Sequence, residues 1–217
     1  MIRLSADVNL PLMKVEAGEL KIRGMRYAIK MTKDFYIGQT EVTLAQWKAV
    51  MRPQKGKELA DPAKFKGDEL PVARVSAHDA MEFCGKLNES GLAPQGWKFT
   101  LPTESQWEYA ARGGRRCRCF RYSGSDALGS VAWYGRPEES GPSPVAKKSP
   151  NELGLYDMSG NLWEWCFDRN DDRGYALRGG CFLADSNCCR VTSRLTNIAP
   201  DDKRSGIGFR VVLVQAK

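Results

Sequence analysis

From Gly124 to the end of the chain, Gly, Pro, Asn, Asp and Ser recur every few residues, and the apolar runs are short, such as 175–177 (YAL) and 209–214 (FRVVLV). Such a stretch supports short strands joined by long ordered loops, and little else. A loop-rich half needs an anchor beyond its few backbone ladders. The aromatic run 162–167 (LWEWCF) is the expected anchor, because indole rings bury large apolar areas.

The first half reads differently. Three segments place Ser or Thr three residues before Gln or Asp at the head of a helical pattern: Thr43 with Gln46, Ser76 with Asp79, and Thr103 with Gln106. In each, the hydroxyl can accept an orphaned backbone N–H while the later side chain reaches back to the cap. The second helix is expected over 77–90, with Ala80, Phe83, Cys84 and Leu87 on one face and Gly91 as its stop. The third should run to Arg112 and stop at Gly113-Gly114. The expected class is therefore α+β, with few helices and short antiparallel strands.

At 217 residues and 42% hydrophobic content, one domain spanning 1–217 can bury a continuous core. No run of eighteen apolar residues exists, so no transmembrane segment is expected, and the N-terminus lacks the basic and apolar regions of an export signal. The formal net charge is +7, with arginines clustered at 112, 115, 116, 118 and 121. That cluster has aromatics only at Phe120 and Tyr122 and lies in no nucleic-acid module, so it reads as a solvated loop and no nucleic-acid partner is expected. The seven cysteines (84, 117, 119, 166, 181, 188, 189) form no CxxC pair and no metal-finger spacing, which predicts buried or free thiols. His78, the one histidine, follows a helix cap, where an ordinary structural role is expected.

Six phrases follow one another along the chain: MKVEAGELKIRG (13–24), IGQTEVTLAQW (37–47), PVARVSAHDAMEFC (71–84), TLPTESQWEYAARGG (100–114), NELGLYDMSGNLWEWC (151–166) and LRGGCF…CR…SR…P…GIGFRVV (177–212). This series resembles the formylglycine-generating-enzyme/sulfatase-modifying-factor family over nearly the whole chain. The resemblance implies a C-type-lectin-like variant fold with sparse regular structure. It also implies a scaffolding role for Pro102 and Gly160, and for Arg178 and Arg210 forking onto buried carboxylates such as Glu108 or Glu164.

Members of that family that oxidise a substrate cysteine to formylglycine carry two copper-binding cysteines, five residues apart, after the GG pair. The matching positions here are Ala184 and Cys189. A lone thiolate does not make the two-sulfur site that monovalent copper favours, and neighbouring Cys188 need not point the same way. No copper and no catalysis are expected. The related iron-dependent sulfoxide synthases require histidines that this chain lacks.

Between Arg178 and Arg210 the fixed-looking residues are separated by mixed chemistry without helical or strand period. This arrangement is similar to the variable region of proteins diversified by retroelements, which use the same fold for display. The resemblance implies a ligand-binding region over 178–210, formed by Cys181, Phe182, Leu183, Ala184, Asp185, Asn187, Cys188, Ser193, Leu195, Thr196, Asn197, Ile198, Arg204 and Ser205. Its partner would be a protein or other macromolecule, met by a monomer on a bacterial surface. Family members also hold calcium at the turn before the tryptophans, here Asp157, Gly160, Leu162 and Glu164; turn chemistry for Asp157 and an arginine pair for Glu164 are the alternatives. Two other functions stand beside binding: a copper-dependent oxidase, and a scaffold module acting through its helices.

Overall fold

All three capping boxes form as the residues dictate. In the computed structural model, which describes residues 1–22, 27–51, 65–168 and 174–216, they open α1 (Leu44–Val50), α2 (Ala77–Glu89) and α3 (Glu104–Ala111). In each box the cap hydroxyl accepts the N–H three residues on, and the later side chain accepts the cap N–H, at 2.8–3.0 Å. α2 stops one residue before the expected end and Gly91 follows in the left-handed region. α3 is followed by Gly113 and Gly114, both at positive φ, as the Gly-Gly stop predicts.

The strands are short. One four-stranded antiparallel sheet runs Leu12–Val15, Phe35–Gly38, Val212–Gln215, Trp97–Thr100, so that the C-terminal strand lies inside it, between 35–38 and 97–100. A second runs Arg194–Leu195, Tyr175–Arg178, Trp163–Phe167, Ile207–Gly208. Its last pairing is parallel, a departure from the purely antiparallel expectation that places 207–208 directly beside Trp163 and Glu164. Two further hairpin-like pairs lie near the N-terminus.

The alternation of strand 212–215 distributes the core. Val212 joins Trp107, Tyr109, Ile37, Leu155 and Met158 on one side, while Leu213 joins Phe83, Leu87, Trp165 and Phe209 on the other. Trp47 stacks on Phe83 at 5.7 Å and Phe83 meets Phe209 edge-on at 5.3 Å. The LWEWCF run is the expected anchor: Trp165 is fully buried and donates its indole N–H to Val75 O at 2.9 Å.

Candidate functional site

The 178–210 segment rests on a floor of buried charge. Arg210, fully buried, donates from Nε and Nη2 to the two oxygens of Glu164, each at 2.6 Å, and to the carbonyls of Gly38 and Tyr156 at 3.0 Å. Trp107 Nε1 donates to the same carboxylate at 2.7 Å. Arg178 donates to Glu108 at 2.6 Å and to the carbonyl of Val191 at 2.8 Å, which pins the middle of the segment to the second sheet. Both arginines engage buried carboxylates and carbonyls, and the two-point contact of Arg210 with Glu164 fits a planar guanidinium.

Beneath the turn that carries Gly160, Glu41 accepts from Asn161 Nδ2 at 2.8 Å and from the Leu162 N–H at 2.9 Å. Burial, together with the charges of Asp157 and Glu164, holds the Glu41 carboxyl well above the usual range. Burial pushes Asp157 up to about 6, against the Ala146 N–H that it accepts. Gly160 sits at φ +78° with Trp133 O only 2.3 Å from where a Cβ would stand, so no other residue fits there.

Over this floor the segment divides in two. Leu183, Asp185, Asn187, Asn197 and Arg204 are exposed; Ala184, Cys188, Ser193, Leu195, Thr196 and Ile198 are half-buried. Cys181, Phe182 and Ser205, expected to face a ligand, are buried instead. Phe182 is fully buried and meets Phe65 edge-on at 6.4 Å, Cys181 Sγ fills the space above Gly206, and Ser205 Oγ donates to Glu138 at 2.8 Å. Apolar and small polar groups on a loop pack inward where the segment turns back on the sheet, and the residue types alone do not reveal which ones. Asp185 is exposed but turns its carboxylate onto the N–H groups of Asn187 and Cys188, at 2.8 and 3.1 Å, which shapes the loop.

Residues 133–136 extend the surface and were not expected. The N–H groups of Gly135 and Arg136 donate to the carbonyls of Ala184 and Phe182 at 2.9 and 2.7 Å, so this stretch lies alongside the segment. Tyr134 and Leu183 are two of the four large hydrophobics exposed among the described residues. Arg136 and Lys148 stack on the Trp133 ring. The aromatic pair in VAWYGRP (131–137) is the signal that could have found them.

Of the two carboxylates that the resemblance assigns to calcium, one is already engaged. Both oxygens of Glu164 belong to Arg210 and Trp107, and Asp157 alone keeps a buried oxygen, Oδ1, without a hydrogen-bond partner. Calcium takes about six to eight oxygens. Among the described residues no group of three or more His, Cys, Asp or Glu side chains could hold a metal. Glu164 takes the alternative role of an arginine pair.

At the positions matching the copper cysteines, Ala184 carries no sulfur and Cys189 is fully buried, its thiol pushed up to about 12 by burial. Cys188 and Cys189 diverge: the first packs on the main core, the second on Tyr122, Leu128, Val131 and Ala132. His78 pairs with Asp201 at 2.8 Å on the surface. In the basic cluster Arg112 is drawn inward by Glu108 and Arg115 pairs with Glu16.

Among the described residues no helix is long and apolar enough to cross a membrane. The chain is 35% identical over 212 residues to the chaperone protein LppX of Paenibacillus barcinonensis, covering 76% of this chain and 73% of that one. It is 33% identical over 174 residues to a formylglycine-generating enzyme of Streptomyces coelicolor, covering 64% of this chain and 51% of the enzyme, so it spans about half of that relative's length. Among solved structures, variable protein 1 of Treponema denticola superposes with a TM-score of 0.77 at 27% identity, over 95% of this chain and 96% of that one. Residues 11–215 match the model of the sulfatase-modifying factor enzyme 1-like domain, and the chain belongs to that family.

Proposed function

We propose that this chain is a non-catalytic binding protein whose 181–205 surface recognises a protein or other macromolecular ligand, displayed on a bacterial surface and diversified by a retroelement. The observation that carries the reading is the division of the segment. Arg178, Phe182 and Arg210 hold it from below through buried contacts, while Leu183, Asn187, Asn197 and Arg204 are exposed above them. Tyr134 beside Leu183 adds a rigid aromatic of the kind that anchors interfaces. The likeness to a variable protein over nearly the full length of both chains supports the same reading.

The enzyme alternative is a copper-dependent formylglycine-generating oxidase, and it requires a second thiolate beside Cys189. One experiment separates the two. The reduced protein and Cys189→Ser are titrated with copper(I), then incubated with oxygen and a cysteine-containing peptide whose mass is followed. The binding reading expects no Cys189-dependent copper affinity and no conversion of the peptide. Turnover that disappears in Cys189→Ser would restore the enzyme.

A further inference from the structure

Cys117 and Cys119 stand apart from the other thiols. Cys84, Cys166, Cys181 and Cys189 are buried and Cys188 is half-buried; Cys119 is the exposed thiol, with half-buried Cys117 beside it. Their sulfurs lie 3.4 Å apart, and the Cys119 N–H donates to Cys117 Sγ at 3.2 Å. On an extended strand two such residues would have α-carbons about 7 Å apart, at the limit for a disulfide. Here the 3-10 turn Gly114–Arg116 ends at Cys117, and Cys119 adopts φ +59°, which folds the chain back and brings the sulfurs together.

The turn is tied at both ends. Cys117 N–H donates to Gly114 O at 3.1 Å; Arg121 donates to Asp126 at 2.8 Å and its carbonyl accepts the Val191 N–H at 3.1 Å. Arg115, Arg116, Arg118 and Arg121 are all exposed around the pair. A cluster of guanidinium groups attracts anions. Among the described residues no third ligand completes a metal site with these sulfurs, so the pair is better suited to redox chemistry than to zinc.

We propose that Cys117 and Cys119 form a surface dithiol that exchanges with anionic low-molecular-weight disulfides of the glutathione type. Cys119, the more exposed sulfur, attacks the disulfide as its thiolate; one S–S bond breaks, a mixed disulfide forms on Cys119, and one thiolate leaves. Cys117 then attacks Cys119 Sγ, closing the Cys117–Cys119 bond and releasing the second thiolate. The two protons of the dithiol pass to the two leaving groups, so the pair is oxidised by two electrons and the small disulfide is reduced to two thiols. The greater exposure of Cys119 assigns it the first attack, and the 3.4 Å between the sulfurs lets Cys117 resolve the adduct. A disulfide closed across one intervening residue is constrained and exposed, the character of a labile bond.

The test exposes the reduced protein to glutathione redox buffers, quenches with acid and alkylates the remaining thiols before trypsin digestion. Trypsin cuts after Arg116, Arg118 and Arg121, so the expected product is the dipeptide of Cys117 joined to the tripeptide of Cys119, formed ahead of any bond among the other five cysteines. Cys117→Ser should stop at the glutathione adduct on Cys119, and Cys119→Ser should react about tenfold more slowly or less. Oxidation by uncharged hydroxyethyl disulfide should be slower than by glutathione disulfide, with the gap closing in high salt. Failure of the joined peptides to appear, prior oxidation of Cys181, Cys188 or Cys189, or equal rates for the two disulfides would overturn the proposal.

Discussion

Arg204 and Arg210 lie within one stretch of chain and are used in opposite ways. Arg210 has no exposed surface and takes its partners from Gly38, Tyr156 and Glu164, segments far apart in sequence. Arg204 is exposed and pairs with Asp202, two residues away, at 2.9 and 3.0 Å. A buried charge must be matched by everything around it, whereas an exposed pair in water contributes little. The floor therefore constrains residues all over the molecule, and the surface above constrains almost none. A scaffold that presents changeable side chains needs that contrast.

The contrast breaks most visibly at the floor. Arg210→Ala should lose about 3–5 kcal/mol in urea unfolding, since it leaves Glu164 buried without its partner. Gly160→Ala should cost about 1–3 kcal/mol, because the added carbon meets Trp133 O and the backbone lies at positive φ. An effect of similar size and opposite sign belongs to Asp157. Its carboxyl, ordinarily near 3.8, is raised to about 6, so the native state holds a proton that the unfolded chain releases. That contribution is present at pH 4 and is lost as the pH rises to about 6 and beyond. Asp157→Asn keeps an acceptor for the Ala146 N–H and should raise stability at pH 7 by about 1–3 kcal/mol, with no gain at pH 4. Thermal melts across that range would show it, and added calcium should leave the wild-type midpoint unchanged.

At the surface the expected stability effects are smallest. Leu183→Ala and Asn187→Ala should each change stability by less than about 0.5 kcal/mol in the same unfolding assay. Losses of several kcal/mol at these exposed positions would mean that the loop holds the fold together and is not a free display surface.

Several features were legible because they are local. A capping box closes within three residues, so Ser76 and Asp79 announce α2 without help from the rest of the chain. That Arg178 and Arg210 would engage buried carboxylates was legible because a buried guanidinium needs them, but which carboxylate serves which arginine was not. Glu41 was not legible: its partners, Asn161 and Leu162, lie some 120 residues on, and nothing local marks it as buried. Nor was the copper-site divergence of Cys188 and Cys189 decided by adjacency alone.

The sequence by itself determined the three helix starts, the tryptophan anchor, the family resemblance and the stretch that carries the candidate site, because each rests on bonds or motifs confined to a few neighbouring residues. Only the tertiary structure decided which residues of 181–205 face outward, that 133–136 lies beside them, that Glu164 serves Arg210, and that Cys117 and Cys119 meet. Burial and side-chain direction in an irregular loop are set by what packs against it from elsewhere in the chain, and no local period encodes that.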